Sequence, residues 1–346
     1  MDDKSLFRKV KVLQVISETG DTKTFVLKPL DWQPDYKAGQ FITFVFLHRG
    51  KEFRRSYSFS SSPLLNEPLS VTIKRVENGE FSRFMLSHVK EGDELITSGV
   101  SGYFQLPEDL TNIGQLIFFA AGSGITPEYS LIKTALATTS LPVTLIYSNK
   151  SVTDTIFFEE IIRLQEQYSG RLHTEFLYST NIDIKHRRLS NWLLPQLLYP
   201  SLKVPLQRCM FYLCGPFDYM QMITITLLTE GVDAKNIKKE NFNTLQPVRK
   251  ATPPDKEPHK VAIHINGNDY SLTVQYPDSI LAQAKKEGIE LPYSCEAGRC
   301  GSCSATCIKG KVWMAYNEVL LDDEIAKGRV LTCQGFPVWG DVELEF

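Results

Sequence analysis

The sequence of 346 residues has almost no excess charge of either sign and no long apolar run. Its 38 Lys and Arg nearly balance 40 Asp and Glu, which leaves a net charge of −2. A chain this close to neutral has no electrostatic footprint for nucleic acid or an anionic membrane. Its richest apolar run, at 116–121, is much shorter than the ~18 residues of a membrane-spanning helix. We therefore expect no nucleic-acid partner and no membrane insertion.

Histidine is also scarce, and the six histidines are scattered without a pair at metal-ligand spacing. No Ser–His–Asp grouping and no pair of carboxylates at acid–base spacing stands out. The charged start, Met1 to Lys4, lacks the apolar core of a signal peptide, so we expect a cytoplasmic protein. With 42% hydrophobic and 23% charged residues, the composition is that of an ordinary globular chain, and the length predicts two or three domains.

Residues 1–107 are predicted to form an antiparallel β-barrel with one helix. Short runs of aromatic or β-branched residues, at 41–46 and 71–73, are broken by turn residues. Phe81, Phe84 and Met85 recur at helical spacing.

From residue 108 to 242 the pattern changes to strands that alternate with helices. The continuous apolar run at 116–121 is typical of a parallel strand that is covered on both faces. Similar strands follow at 143–147, 172–178 and 210–213, with helical stretches at 159–167 and 219–229. This alternation predicts a doubly wound α/β nucleotide-binding domain.

Residues 243–259 contain four prolines and few apolar residues, which predicts a stiff, extended linker. The remaining residues, 260–346, form the third predicted domain. In it, Asn266-Gly267 lies between two alternating runs and predicts a β-hairpin. Ser279 is a suitable N-cap for a helix over 280–287.

Cysteine is the one unevenly distributed residue type, because five of the seven fall in the last 52 residues. Four of these five have the C-x4-C-x2-C…C spacing of plant-type [2Fe–2S] sites: Cys295, Cys300, Cys303 and Cys333. Gly298 and Gly301 permit tight turns and leave amide groups free to face sulfur. Structural zinc sites usually have paired C-x2–4-C units, which this triplet does not match. We predict that the four cysteines ligate the cluster and that Cys307 is a packing residue.

A candidate flavin site lies in the predicted barrel. Arg55 is suited to pair a phosphate, Tyr57 to stack on a flavin ring, and Ser58 to reach the flavin N5 atom. Alone these residues are a weak signal, since Arg and Tyr on alternate strand positions also suit a surface and a core edge. A phosphate site is predicted around the start of the helix, with the residues Lys74, Val76, Gly79, Phe81 and Ser82. Gly102, at the end of the barrel segment, is assigned to the part of the site that would hold the adenine of the flavin cofactor.

A candidate nicotinamide site lies where the predicted parallel strands end. The loop from Gly122 to Gly124 precedes Thr126, the predicted helix N-cap, and would let a pyrophosphate approach backbone N–H groups. A second loop, Cys214, Gly215 and Pro216, follows a later strand.

The end of the strand at 143–147 bears on the choice between NADPH and NADH. No acidic residue for the ribose 2′-hydroxyl occurs there before Asp154, and Ser148 and Lys150 suit a 2′-phosphate instead. The sequence therefore favours NADPH over NADH. Lys150 is equally compatible with a solvated loop.

Taken in order, these motifs resemble those of the ferredoxin–NADP reductase superfamily over about residues 5–242. The resemblance rests on Arg-x-Tyr-Ser (55–58), Gly-x-x-Ser (79–82), Gly-Tyr-Phe (102–104), Gly-Ser-Gly-Ile-Thr-Pro (122–127) and Cys-Gly-Pro (214–216). It implies FAD as the flavin and places Glu240 and Phe242 at the flavin ring, although Phe242 also suits a core position at the end of a domain. Residues 260–346 resemble plant-type ferredoxins, which implies a β-grasp fold.

The order of flavin barrel, nicotinamide domain and ferredoxin is similar to that of oxygenase reductases, above all the phenylacetyl-CoA epoxidase type. That resemblance implies that electrons pass from NADPH through FAD and a [2Fe–2S] cluster to a partner oxygenase. Tyr57, Ser58 and Phe242 would frame the reacting ring, while the cofactors carry the chemistry. Other acceptors stay open: a ring-hydroxylating or Rieske oxygenase, a hybrid-cluster protein or a free ferredoxin. A non-catalytic iron–sulfur sensor or binding module is a further alternative.

Overall fold

A computed structural model describes residues 6–48, 50–77, 79–183, 187–242 and 251–346. Part of the predicted linker, residues 243–250, lies outside these ranges. None of the helices within them is both long and apolar enough to cross a membrane.

The first sheet is the predicted antiparallel barrel. Its strands are β1 (Arg8–Thr19), β2 (Thr22–Pro29), β3 (Phe41–His48), β4 (Lys51–Ser58), β5 (Ser70–Lys74) and β6 (Glu94–Ser101), in the order β4-β3-β6-β1-β2-β5. A bridge between Phe59 and Val71 joins the ends of this order and closes the barrel. Helix α1 (Glu80–His88) buries Phe81 and Met85 in the barrel core.

The second sheet is parallel throughout and confirms the predicted α/β domain. Its strands are β7 (Gln115–Ala121), β8 (Val143–Asn149), β9 (Leu172–Tyr178), β10 (Cys209–Cys214) and β11 (Ile237–Glu240), in the order β11-β10-β7-β8-β9. Helices α2 (Ile125–Thr138), α3 (Phe158–Gln167), α4 (Leu193–Ser201) and α5 (Phe217–Thr229) belong to this region. Phe118 and Phe119 pack in separate hydrophobic clusters, because successive strand residues face opposite sides of the sheet. Burial on both faces accounts for the continuous apolar run.

The register of the parallel strands brings several predicted site residues to one edge. Cys214 at the end of β10 pairs with Glu240 on one side and with Ala120 on the other. Ala121 pairs with Ser148 at the end of β8. Ligand sites in open α/β sheets lie at this carboxyl edge.

The third sheet has the mixed topology expected of a β-grasp. Its strands are β12 (His259–Ile265), β13 (Asn268–Val274), β14 (Ser304–Lys309), β16 (Arg329–Leu331) and β18 (Val342–Glu345), in the order β13-β12-β18-β14-β16. The domain also contains two helices, α6 (Ile280–Lys286) and α7 (Asp322–Ala326). Two short strands, β15 (Val312–Met314) and β17 (Gly335–Pro337), complete it. Asn266 and Gly267 both have positive φ in the predicted hairpin. Ser279 caps α6 by accepting a hydrogen bond from the Ala282 N–H group.

One local prediction is wrong. Helix α2 begins at Ile125 with Gly124 as its N-cap, so Thr126 lies in the first turn and does not cap the helix. The reason is that the Gly122–Gly124 loop is itself a 3-10 turn that runs directly into α2. The Thr126 hydroxyl donates back to the Ser123 carbonyl inside this continuous turn (3.0 Å).

Candidate functional site

Strand β4 carries the predicted flavin motif. The Ser58 side chain is buried and donates a hydrogen bond to Glu240 Oε2 (2.9 Å) across the boundary between the two sheets. Tyr57 is partly buried and packs against Phe81, with ring centroids 5.7 Å apart, and burial raises the pKa of its hydroxyl. Arg55 is exposed and donates to the Arg54 carbonyl (2.8 Å). An exposed guanidinium on the same strand face as a half-buried aromatic ring is suited to a ligand that has an anionic tail and a flat ring.

In the predicted phosphate region, three of the five residues make side-chain contacts within the barrel domain itself. The Ser82 hydroxyl accepts from the Val76 N–H group (3.1 Å) and donates to the Gly79 carbonyl (3.3 Å), so it orders the turn before α1. Phe81 is a core residue. Lys74 forms an ion pair with Asp21 (3.6 Å), while the Val76 side chain is exposed.

Gly102 occupies a position that only glycine fits well. Its φ is +123°, and a Cβ atom there would lie 3.1 Å from the Phe41 ring. The hydroxyl of the following residue, Tyr103, donates to Ser304 Oγ in the third domain (2.7 Å). The segment assigned to the adenine end therefore carries a contact to the ferredoxin-like domain.

The two predicted nicotinamide loops touch through their backbones. A Cβ atom on Gly124 would lie 1.9 Å from the Cys214 carbonyl oxygen, and one on Gly215 would lie 2.9 Å from the Ala121 Cβ atom. Close approach of this kind explains both glycines. Gly122 has a positive φ of 55°, and Pro216 is the N-cap of α5. The loops thus form one continuous backbone surface at the carboxyl edge of the sheet, which suits a dinucleotide.

Two residues at the end of β8 bear on nucleotide choice. Ser148 is partly buried, and its Oγ atom has no hydrogen-bond partner among the residues that the structure describes. Lys150 is exposed, and its carbonyl accepts hydrogen bonds from Thr180. The exposed Lys150 side chain is available to a ligand at this edge, whereas the Ser148 Oγ atom is buried.

Acidic groups with raised pKa values lie where the barrel meets this edge. Burial raises the pKa of Glu240 to about 8, against the opposing effect of the Ser58 hydrogen bond. Burial also raises the pKa of the Cys214 thiol well above its ordinary value. Both groups are therefore mainly protonated at neutral pH, so the site holds little negative charge despite its acidic side chain.

Glu128 is a site residue that sequence reasoning missed. Its side chain is fully buried, and neither carboxylate oxygen has a hydrogen-bond partner within the described ranges. Burial raises its pKa well above the ordinary value, opposed by the nearby Cys214 backbone and reinforced by Glu240. The available signal was its spacing, because Glu128 is three residues before Leu131 and seven before Ala135 on the apolar face of α2.

Phe242 is 45% exposed. This exposure rules out the alternative that it is a core residue at the end of the domain. It lies two residues beyond Glu240, at the end of the described part of this domain, and its ring is available to cover a planar ligand.

The four predicted cluster ligands lie in or beside the cluster loop, defined as residues 291–303. Cys295 lies beside Cys300, and Cys303 lies beside Cys333. Among the described residues, no group of three or more His, Cys, Asp or Glu side chains is arranged to hold a single metal ion. Two pairs of thiols suit a two-iron cluster, in which each iron takes two protein ligands, better than one mononuclear site.

Backbone amides of the cluster loop face the sulfur atoms. The Ala297 N–H group donates to Cys295 Sγ (3.4 Å), and the Ser302 N–H group donates to Cys300 Sγ (3.5 Å). The Cys300 thiol and several backbone amides lower the pKa of Cys295, while the hydrogen bond with Cys295 and burial raise the pKa of Cys300. This arrangement fits thiolate ligands of an anionic cluster.

The loop geometry depends on its glycines, and Cys307 lies apart from it. Gly298 and Gly301 have φ values of +72° and +77°, and a Cβ atom on Gly298 would lie 2.8 Å from the Tyr316 carbonyl. Cys307 lies in β14, where its thiol faces the Lys309 carbonyl (3.3 Å). It lies apart from the two thiol pairs.

Comparisons with protein-family models divide the chain in the same way. Residues 9–106 match the oxidoreductase FAD-binding domain, residues 118–224 the oxidoreductase NAD-binding domain, and residues 263–338 the 2Fe-2S iron-sulfur cluster binding domain. The fold and sites therefore define an FAD-, nicotinamide- and [2Fe–2S]-dependent oxidoreductase, which confirms the predicted cofactor classes.

Full-length relatives identify the family. A component of 1,2-phenylacetyl-CoA epoxidase from Escherichia coli is 33% identical, with 98% of each chain covered. The ferredoxin reductase component of 3-ketosteroid-9-alpha-monooxygenase from Rhodococcus rhodochrous is 30% identical, over 97% of this chain and 95% of the relative. The chain belongs to the family of oxygenase reductases that these proteins represent, as the sequence motifs predicted.

A solved structure supports the fold independently. Phthalate dioxygenase reductase, described as a modular structure for electron transfer from pyridine nucleotides to [2Fe–2S], superposes with a TM-score of 0.61 at 23% identity. The match covers 98% of both chains. At this level of identity, the likeness concerns the fold.

Proposed function

We propose that this protein is the reductase component of a multicomponent oxygenase of the phenylacetyl-CoA epoxidase type. It would oxidise NADPH and deliver single electrons through FAD and a [2Fe–2S] cluster to its oxygenase. The similarity to the Escherichia coli epoxidase component over 98% of both chains carries the proposal. We also propose domain bounds of 1–107, 108–242 and 260–346, and a cytoplasmic location, where thiols stay reduced.

The reaction that the three cofactors supply balances without a catalytic acid or base. One NADPH gives NADP+, one proton and two electrons, and two one-electron transfers reduce the terminal acceptor. Binding and orientation are left to the protein. Arg55 would hold the flavin pyrophosphate, and Tyr57 and Phe242 would cover the ring.

Ser58 and Glu240 would face the site of hydride transfer. Their hydrogen bond joins the flavin strand to the nicotinamide edge, so one contact aligns both sides of the reaction. Because burial raises the pKa of Glu240 to about 8, the carboxyl group is mainly neutral at pH 7 and adds little negative charge beside an incoming hydride. Cys214 and Gly122–Thr126 would border the nicotinamide.

For the cluster we propose Cys295, Cys300, Cys303 and Cys333 as ligands. Their test is a pair of matched substitutions, Cys300→Ser and Cys307→Ser. We expect Cys300→Ser to lose the absorption and electron paramagnetic resonance signal of the cluster, while Cys307→Ser keeps both. Loss of the signal in Cys307→Ser alone would contradict this ligand set.

The function itself is tested by anaerobic reduction with NADPH. Purified protein should show flavin and cluster absorption, and NADPH should bleach both. A protein that reduces neither ferricyanide nor cytochrome c with NADPH would overturn the proposal.

The preference for NADPH or NADH is tested by the ratio of the two kcat/KM values, measured for wild type and Lys150→Glu. A 2′-phosphate site predicts that the substitution lowers the value for NADPH more than the value for NADH.

The acceptor is decided by reconstitution. Similarity to the ketosteroid monooxygenase reductase is almost as high as that to the epoxidase component, so a ketosteroid monooxygenase is the second candidate. Each purified terminal oxygenase should be offered to the reduced protein, with oxidation of the cluster as the measurement. Faster oxidation by the ketosteroid enzyme would replace the epoxidase as the proposed partner.

A further inference from the structure

Strand β4 has two functional faces. Arg55 and Tyr57 of the flavin motif lie on one side of the strand, whereas Ser58, the last residue of the motif, ends the strand on the other side. Arg54 and Ser56 occupy the alternate positions and face the other side, where they contact the cluster loop. The strand that carries the flavin motif therefore also carries a contact surface for the iron–sulfur domain.

Arg54 is the centre of this contact. It is only 6% exposed, and its Nε atom donates to Glu52 Oε1 (2.7 Å). Its guanidinium carbon lies 3.8 Å from the centroid of the Tyr293 ring, and Nη1 donates to the Leu291 carbonyl (3.4 Å). The Tyr293 hydroxyl in turn donates to Glu52 (3.2 Å). Arg54, Glu52 and Tyr293 thus close a triangle across the domain boundary.

The contact continues toward the cluster ligands. Ser56 Oγ donates to Ser294 Oγ (2.8 Å), so two same-face residues of β4 bind two consecutive residues of the loop. Ser294 directly precedes Cys295, the first proposed ligand. A shift at Tyr293 is therefore transmitted through one residue to the cluster.

Other contacts hold the loop, or the residue that follows it, from different directions. Tyr103 bonds Ser304, and Glu318 accepts hydrogen bonds from both Arg299 (2.9 Å) and Asn241 (3.1 Å). Loss of Arg54 would therefore leave the ferredoxin domain attached, but would free one side of the loop. A change at Arg54 therefore tests how the cluster loop is positioned, without detaching the ferredoxin domain from the rest of the protein.

We propose that Arg54 is a positioning residue that fixes the cluster loop on the reverse face of the flavin-motif strand and so sets the rate of electron transfer to the cluster within this chain. The inference rests on the proposed function. In each transfer one electron leaves the reduced flavin and one Fe(III) of the cluster becomes Fe(II). Two transfers follow each NADPH oxidised, and one proton passes to solvent. Tunnelling rates fall exponentially with distance, so loosening the loop slows this step.

Arginine is required here because its planar guanidinium stacks on an aromatic ring while it donates to a carboxylate. Arg54→Lys keeps the charge and a bond to Glu52 but loses the planar stacking on Tyr293. Arg54→Ala loses all three contacts. The matched control is Arg163→Ala, since Arg163 lies on α3 with an exposed side chain paired to Glu160.

The experiment is anaerobic stopped-flow reduction of the holoprotein by NADPH, followed at flavin and cluster wavelengths. We expect Arg54→Ala to reduce its flavin at the wild-type rate and its cluster more than about twofold more slowly, because a loosened loop is no longer held at the distance over which the electron must pass. Arg54→Lys should fall between Arg54→Ala and wild type, and Arg163→Ala should match wild type.

Hydrogen–deuterium exchange gives a readout other than activity. Backbone amides at 291–296 should exchange faster in both Arg54 variants and remain unchanged in Arg163→Ala. If cluster reduction in both Arg54 variants stays within twofold of wild type, or if flavin reduction slows equally, the proposal is overturned. A wild-type protein whose cluster NADPH does not reduce would instead refute the proposed function, so the two failures are distinguishable.

Discussion

The flavin barrel contacts its two neighbours in different ways. Toward the nicotinamide domain, one face of α2 packs along a single segment of the barrel. Its contacts there are Ser130 Oγ to the Ser61 carbonyl (2.6 Å), Thr134 Oγ1 with Ser62 Oγ (2.7 Å) and Lys133 Nζ to Glu67 Oε2 (2.5 Å). Toward the ferredoxin domain, the contacts come from β4 and from Tyr103 and converge on or beside the cluster loop.

The difference shows what each contact holds in place. A continuous buried seam along α2 fixes the helix that begins at the dinucleotide loop, so the nicotinamide edge and the flavin motif form one rigid arrangement. The ferredoxin contacts instead hold one loop at several points. Breaking the seam should therefore reduce stability, whereas breaking a single loop contact should chiefly affect electron transfer.

The largest effect is expected from Lys133→Ala. The Lys133 side chain is almost fully buried and pairs with Glu67, and burial lowers its pKa against the opposing effect of that partner. Removing one partner of a fully buried ion pair costs about 3–5 kcal/mol, and because Glu67 is 29% exposed, the loss here should be about 2 kcal/mol. We expect the free energy of unfolding to fall by about that amount in chemical denaturation.

Lys235→Ala is the matched control, because the Lys235 side chain is 77% exposed and its ion pair with Asp233 lies at the surface. Solvent screens such a surface pair, so we expect a much smaller loss of stability in this variant. An equal loss of unfolding free energy in both variants would show that the contacts of α2 with the barrel stabilise the protein no more than an ordinary surface ion pair.

The ferredoxin site and the seam also differ in how far they were predictable. The proposed cluster ligands form a local motif with glycines of positive φ beside it, so a sequence pattern alone was enough to propose them. Ser130, Lys133 and Thr134 look like the polar face of an exposed helix. Their partners come from a separate domain about 70 residues earlier, and no periodicity within α2 indicates that such a face is buried.

The junction at Ser58 and Glu240 was predicted only in part. Ser58 was singled out as a residue suited to reach the flavin N5 atom and Glu240 through a family resemblance, but their hydrogen bond depends on how the barrel sits against β11. Glu128 was missed because an acidic residue in the first turn of a helix is ordinarily favourable at the surface. Its burial follows from the contact between the α2 loop and Cys214.

We expect Glu240→Gln to have a smaller effect on stability. Glu240 lies at the boundary between the flavin barrel and the nicotinamide domain, where it accepts a hydrogen bond from Ser58. The folded-state pKa of Glu240 is about 8, above its ordinary value of 4.5. The resulting stabilisation is fully present below pH 4.5 and is lost as the pH rises through 8. We therefore expect the stability of wild type to fall more steeply between pH 5 and 8 than that of Glu240→Gln.

The measurement is the thermal midpoint of the apoprotein against pH. Glu166→Gln, at an exposed position on α3, should retain the wild-type slope. If Glu240→Gln also retains it, the carboxyl group is charged in the folded protein and its assigned environment is wrong.

The smallest effect is expected at the ferredoxin side, from Tyr103→Phe. This change removes the hydroxyl that donates to Ser304 but keeps the ring that packs against Gly301. A neutral hydrogen bond of this kind contributes about 1 kcal/mol. The test is a double-mutant cycle with Ser304→Ala, in which we expect a coupling free energy of about 1 kcal/mol in unfolding of the ferredoxin domain. Flavin reduction should be unchanged, since neither residue belongs to the flavin motif. A coupling of zero would mean that the ring packing alone holds this side of the cluster loop, and that the contacts around Arg54 carry more of its positioning.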